Sequence, residues 1–299
     1  MDYTTRELDP HSLSENAAVE WESAGHDSLR HEPRQPNSGC GCQSCQHAER
    51  PPNQTWNNYS EELEYEAGVN HFTCANDQLA QLRAVLATPV TVAALRGGLA
   101  TAVRVAIKRA NAAAAQLRKI PRSADVQRIF LDSFGVRTDF VPSWRASNSK
   151  WADSGELVAI RLESAAKNLA GGSMRYFCWD YTQVLCGAPG PTGYRAATLS
   201  GQSQMCIGQQ FWQWWVGRNF ESMAAVLIHE HLHDYFARFR KFMGVIHGSR
   251  TSGQGGPLRF RNANCYVLFT MRLAGKPLTA CLRERCHDLN TAACPRVAH

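Results

Sequence analysis

Apolar side chains recur every three to four positions through much of the chain that follows Cys74. This spacing predicts amphipathic helices, each with one buried face. Four segments fit it, and the second is long enough for one or two alanine-rich helices: residues 77–86, 90–120, 125–134 and 156–169. Pro89 and the Gly97-Gly98 pair predict breaks, and Pro121 predicts the end of the long run.

The next part of the chain has a different pattern. Residues 174–186 and 194–206 are rich in aromatic and β-branched side chains, and a Gly- and Pro-rich loop at 187–193 separates them. They predict a small antiparallel sheet. Cys206 would then stand where a disulfide to Cys178 or Cys186 can form. The aromatic cluster at 211–215 is interpreted as packed core rather than as the wall of a binding subsite.

One short stretch carries candidate chemistry. The apolar run at 223–228 leads into the sequence HEHLH at 229–233, and no proline interrupts it, so a helix is predicted. Residues four apart share a helix face, so His229 and His233 can bind one zinc ion (Zn2+) through their imidazole nitrogens. Glu230 can then accept a proton from water activated by the metal. The competing interpretation is a chance match, with the three histidines forming a loosely chelating exposed cluster.

The N-terminal part differs from the rest in composition. Residues 1–65 have few aliphatic side chains and no sustained period, and they predict a disordered tail. Three cysteines fall within six residues of this tail, at Cys40, Cys42 and Cys45. A flexible, oxidisable cluster is preferred to a metal site, since four-ligand zinc would need a further partner. Residues 66–299 are predicted to form the domain that carries the candidate zinc site, with a helical half at 74–170 and a hairpin and metal-site half at 171–299.

Composition narrows the classes of function. The formal charge of +6 is mild and the basic residues are scattered, so no nucleic-acid partner is expected. No apolar segment has the length of a membrane span, and the first residues lack the apolar core of a signal peptide. Eleven cysteines are nevertheless typical of an exported protein with disulfides. Secretion or delivery out of the cell without a cleaved signal reconciles these observations, and a cytoplasmic location is the alternative.

Several stretches, taken in order, resemble a known family. They are Tyr176-Phe177-Cys178, Gln204-Met205-Cys206 with Phe211-Trp212, the helix at 225–233 and the sequence NANCYVLF at 262–269. Together they resemble the aspzincins, the group that contains deuterolysin and lysine-specific metalloendopeptidase, over about residues 74–275. The resemblance implies a zinc endopeptidase of mainly helical α+β class, with a zincin-like metallopeptidase fold.

The resemblance also implies a third zinc ligand. In the family this is an Asp shortly after the metal helix, followed by Tyr-Gly, but here no Asp or Glu occurs between Tyr235 and Asn262. His247 stands in that region. It either replaces the Asp as the third ligand or occupies the Tyr position. The first assignment is preferred, because a catalytic zinc site normally has three protein ligands.

Further roles follow from the family pattern. Tyr266 and Tyr235 are candidates for a donor to the oxyanion, and Tyr266 is assigned as the predicted catalytic tyrosine. Asp234 is expected to support a ligand or to contact solvent rather than to bind zinc. Asn264 stands where the family usually has an Asp.

The predicted function is therefore hydrolysis of peptide bonds in a protein or peptide substrate, with Glu230 as the general base. The alternative is a degenerate protease fold that acts as a zinc-binding interaction module, which the absence of the family Asp motivates. A delivered toxin or effector is a compatible setting, in which export or injection machinery recognises the N-terminal tail.

Overall fold

The computed structural model describes residues 69–143, 145–179, 196–199, 203–238 and 256–276. The predicted tail at 1–65, its cysteine cluster and the predicted loop at 187–193 lie outside these residues. Within the described part the chain is mainly helical with one small sheet, as its periodicity predicts. The helices are α1 (Asn76–Leu86), α2 (Val92–Arg118), α3 (Ala124–Phe134), α4 (Ser154–Ala170), α5 (Gln209–Val216), α6 (Phe220–Arg238) and α7 (Ala263–Leu273), with a 3-10 helix at Gly256–Arg261.

Local capping sets where several helices begin and end. The side chains of Thr91, Ser123 and Asp153 accept hydrogen bonds from the first-turn amides of α2, α3 and α4, respectively. Such bonds satisfy amides that have no partner within the helix. At the other end of α3, Gly135 adopts φ of 74° and donates its amide hydrogen to the carbonyl of Leu131. The predicted bounds of α1, α3 and α4 are confirmed to within a residue or two.

The predicted break at Gly97-Gly98 is wrong, because α2 runs through both glycines without interruption. Gly98 is buried, and the indole ring of Trp215 on α5 lies directly against its backbone. A Cβ atom at position 98 would stand 2.1 Å from Nε1 of Trp215. Trp215 in turn packs edge-on against Trp212, which is fully buried. The glycine therefore leaves room for the indole ring of Trp215 rather than changing the direction of the chain.

Gly98→Ala is expected to lower the free energy of unfolding. Overpacking a core usually costs about 1–3 kcal/mol, and the gain in helix propensity offsets only about 1 kcal/mol of this cost. Gly97→Ala is the matched control, because a Cβ there meets no atom within 4 Å. That neighbouring substitution should raise the free energy of unfolding by about 0.5–1 kcal/mol. Urea unfolding of both variants measures the difference. Equal stabilisation of the two would contradict the assigned packing of Trp215.

The four described strands form one mixed sheet rather than the predicted antiparallel one. They are β1 (His71–Thr73), β2 (Arg175–Phe177), β3 (Ala196–Leu199) and β4 (Gln204–Ile207), in the order β1-β2-β4-β3. Strand β2 pairs in parallel with both β1 and β4, and only β3 and β4 are antiparallel. The predicted antiparallel sheet consists of the segments 174–186 and 194–206 paired with each other. The chain reverses direction between β3 and β4 instead, so the second segment supplies both strands of the hairpin.

Helix α6 occupies the centre of the described helices. It packs against α2, α4, α5 and α7, and it also contacts strand β3. Helices α2 and α4 pack against each other, and alanines on both are fully buried, among them Ala106, Ala110 and Ala159. The interpretation of the aromatic cluster as core is confirmed for Phe211 and Trp212, which are buried, while Trp214 and Trp215 are half-buried. Among the described helices, none combines the length and the apolar character that crossing a membrane requires.

A disulfide joins Cys74, directly after β1, to Cys178, directly after β2. The predicted alternative of a Cys206–Cys178 bond is therefore wrong, because Cys178 already has a partner. Cys206 and Cys265 are also disulfide-bonded. Cys186, the other predicted partner of Cys206, lies outside the described residues. The expectation of a disulfide-containing protein is confirmed.

Candidate metal centre

Helix α6 carries the HEHLH stretch, as the sequence predicts. Its apolar positions are buried, among them Met223, Leu227, Ile228 and Leu232. These side chains pack the helix against its neighbours. His229 and His233 lie on a different face of the helix. His229 is half-buried and His233 is buried. The pair therefore lies at the margin of the core.

The two histidines are hydrogen-bonded to each other through their Nε2 atoms. Nε2 of His233 lies 2.7 Å from Nε2 of His229, and the ring centroids are 4.5 Å apart. Two nitrogens that share a tetrahedral zinc ion at ~2.0–2.1 Å stand about 3.3 Å from each other. A small change in the side-chain torsions would open the pair to that separation. The donor type and the convergence of the two rings thus fit a metal ion that prefers imidazole ligands.

Glu230 directly follows His229 in the chain and is buried, only 9% exposed. Burial raises the pKa of its carboxyl group to about 8, and the neighbouring Thr198 on strand β3 partly opposes this shift. A buried carboxyl without a cation nearby resists ionisation, because the charged form loses its hydration. A divalent cation at the adjacent histidines would favour the carboxylate. Thr198 had no signal in the sequence, since its approach to Glu230 depends on β3 crossing α6.

A third metal ligand is not present in the described part of the chain. No group of three or more His, Cys, Asp or Glu side chains able to hold a metal occurs among the described residues. His247, the predicted third ligand, lies outside them. Its assignment stays a prediction.

Tyr266 lies in the core near the C-terminal end of α6, where Phe236 contacts it. Its hydroxyl donates a hydrogen bond of 2.8 Å to the carbonyl of Phe260 and accepts one of 2.8 Å from Nη1 of Arg161. Its ring packs against Phe134 and Phe236, and burial raises the pKa of Tyr266 to about 12. The single hydroxyl proton is thus already donated within the protein. A role as oxyanion donor stays a prediction, and it requires the bond to Phe260 to break.

The remaining predicted residues are also buried. Asp234 is 1% exposed and accepts a hydrogen bond of 3.3 Å from the amide of Ser203, so the alternative of solvent contact is wrong. Tyr235 packs edge-on against Phe236. Asn264 is buried in the first turn of α7, and its amide donates to the side chain of Asn262.

Sequence reasoning missed the surroundings of His231. This residue is not part of a loose exposed cluster, because it is buried and its Nε2 lies 3.0 Å from the hydroxyl of Tyr176. The only signal available was its place on a different helix face from His229 and His233. Its partner, Tyr176, is 55 residues away in the chain.

Comparison with protein-family models, with curated proteins and with solved structures found no match. The likeness to the aspzincins therefore stays a prediction based on the quoted stretches. The functional proposal therefore depends on the positions of His229, Glu230 and His233 in this structure.

Proposed function

We propose that this protein is a zinc-dependent endopeptidase in which His229 and His233 hold the metal and Glu230 acts as the general base. The observation that supports this most is the 2.7 Å approach of the two Nε2 atoms from successive turns of α6. Two imidazoles aimed at one point, next to a buried carboxyl, are the donor set and the base that metal-assisted hydrolysis needs. We assign His247 as the third ligand on the ground that a catalytic zinc site normally has three.

The residues would divide the chemistry as follows. When bound, zinc would polarise the scissile carbonyl and lower the pKa of water. Glu230 would take the proton of the attacking water and then deliver it to the leaving amine. Tyr266 would donate to the oxyanion only after releasing the carbonyl of Phe260.

A zincin-like fold is part of the same proposal. Its support is the relation between α6 and β3, since Thr198 of this strand lies beside Glu230. Strand β3 is the outermost strand of the described sheet, bonded on one side to β4. The backbone of an outer strand can pair with an extended peptide, which favours a protein or peptide as the substrate.

The second candidate is a zinc-binding interaction module without catalysis. It is favoured by one specific observation, the absence of any Asp or Glu between Tyr235 and Asn262. The Cys74–Cys178 disulfide supports the proposed setting, because disulfides persist mainly in oxidising compartments. Secretion, or delivery as a toxin or effector through machinery that recognises the N-terminal tail, remains part of the proposal.

Zinc content is the first test. The full-length protein is expected to carry about one zinc ion per chain by elemental mass spectrometry, and His233→Ala should lose it because two remaining ligands hold the metal weakly. His71→Ala is the matched control, since His71 is exposed on β1. The same samples are incubated with a peptide library, with and without a chelator. His247→Ala then tests the third ligand.

The outcomes separate the candidates. Zinc-dependent cleavage supports the endopeptidase, while stoichiometric zinc without cleavage supports the interaction module. A protein that binds no zinc would exclude both candidates. Retention of zinc by His247→Ala would exclude His247 as a ligand and leave the pair on α6 in place.

A further inference from the structure

Helix α6 carries polar side chains on two opposite faces. Successive residues of an α-helix advance by about 100°, so His229 and His233 share one direction. His231 and Asp234 are three apart and share another. The mean directions of the two pairs differ by roughly 150°. The histidines that would hold the metal thus face away from a second polar pair on the same two turns.

The second pair is bonded to the sheet. Nε2 of His231 lies 3.0 Å from the hydroxyl of Tyr176, the middle residue of β2. Tyr176 is fully buried and stands between Phe72 of β1 and Met205 of β4 in the sheet register. Its position is therefore held by strands on both sides.

Asp234 supplies a second bond to the same part of the sheet. Its Oδ1 accepts from the amide of Ser203, which directly precedes β4 and has φ of 52°. The carbonyl of Ser203 accepts in turn from the amide of Arg175, the neighbour of Tyr176 on β2. The face of α6 that carries His231 and Asp234, its inner face, is thus bonded to the sheet at two points. One bond reaches Tyr176 directly, and the other reaches its neighbour Arg175 through Ser203.

We infer that Tyr176 is a positioning residue, whose hydrogen bond to His231 sets the rotation of α6 about its axis and so aims His229 and His233 at the metal. This inference rests on the proposed function. The apolar contacts of α6 hold it against its neighbours, but they are not directional. A hydrogen bond weakens steeply when its angle departs from linearity, so two such bonds resist rotation.

Small rotations are enough to matter. The coordinating nitrogen of a histidine lies roughly 7 Å from the helix axis, so a rotation of about 10° displaces it by about 1 Å. Functional constellations tolerate displacements of only about 0.5 Å. The bond between Tyr176 and His231 therefore controls the positions of His229 and His233 on the opposite face of α6, although it contacts neither of them.

Tyr176→Phe tests the inference, because it removes only the hydroxyl and keeps the buried ring. The dissociation constant for zinc is measured in the folded protein by competition with a chromogenic chelator, and stability is measured separately by urea unfolding in EDTA. We expect the dissociation constant to rise about 10-fold, the lower end of the effect of removing a group bonded directly to a metal ligand, because Tyr176 acts through the helix. Ser154→Ala is the matched control, since it removes another buried hydroxyl, which donates a hydrogen bond to the carbonyl of Phe140. It should lower stability and leave zinc affinity unchanged.

A conservative replacement gives an independent measurement. His231→Gln keeps a polar group within reach of the Tyr176 hydroxyl and should recover much of the affinity for zinc that His231→Leu loses. The inference fails if Tyr176→Phe binds zinc as tightly as the wild type, or if His231→Leu and His231→Gln lose affinity equally. Those results would leave the proposed function intact. A wild-type protein that binds no zinc would overturn the inference and the proposed function together.

Discussion

The Glu230→Gln variant is expected to bind zinc as the wild type does and to lose peptide-bond hydrolysis by about 10²- to 10⁴-fold, the contribution of a positioned general base. Glutamine has nearly the same shape as glutamate, but its amide cannot accept the proton of the attacking water. Because Glu230 is buried and burial disfavours the charged carboxyl, a neutral amide should not lower the free energy of unfolding. The variant thus separates catalysis from folding and from metal binding.

Initial rates on a cleaved peptide, zinc content and urea unfolding are measured on the same preparation. Glu221→Gln is the matched control, because Glu221 lies in the first turn of the same helix and forms ion pairs with Arg109 and Lys276. It should lose a little stability and keep the wild-type rate. Hydrolysis by Glu230→Gln at the wild-type rate would exclude Glu230 as the base. Loss of zinc from this variant would show instead that the carboxyl helps to hold the metal.

Removal of the Cys74–Cys178 disulfide is expected to have the largest effect on stability. The bond closes a segment with a sequence separation of 104 residues, which includes all of α1 to α4. Restricting an unfolded chain over a loop of ~100 residues is worth about 4.7 kcal/mol in the chain-entropy description. We therefore expect Cys74→Ala with Cys178→Ala to lower the free energy of unfolding by about 4–5 kcal/mol. Urea unfolding without reductant measures it.

The single substitutions provide the control for this prediction. Cys74→Ala and Cys178→Ala each remove the same cross-link, so each should lose most of what the double variant loses. Additive losses from the two single variants would contradict the assigned pairing. Unchanged stability of the double variant would exclude the cross-link as a source of stability.

The residues of the candidate site that are close in the chain could be predicted from their spacing, and the contacts between distant residues could not. His229 and His233 are four residues apart on a helix, so their convergence follows from helical geometry once the helix is predicted. Glu230 is their neighbour in the chain and could be assigned in the same way. The bond between Tyr176 and His231 joins residues 55 positions apart, and that of Tyr266 to Arg161 spans 105. No spacing rule relates such pairs.

The errors in the fold have a similar physical origin. A glycine pair predicts a helix break when only the local sequence is considered. Gly98 nevertheless lies within α2, where the absence of a Cβ atom leaves room for the indole ring of Trp215. The pattern at 194–206 correctly predicts the extended chain described at 196–199 and 204–206, but it predicts the strand pairing wrongly. Which strands pair, and in which direction, depends on the path of the chain between them.

The amino-acid sequence by itself determined the helices α1, α3 and α4 and the helix that carries the histidine pair with its glutamate, because the interactions responsible act within one or two helical turns. The tertiary structure decided the mixed sheet, the partner of Cys178, the close contact at Gly98, and the polar bonds that join the inner face of α6 to β2 and β4. These depend on which distant segments share the core. Burial favours many arrangements of apolar surface nearly equally, so the choice among them comes from the packing of the whole domain.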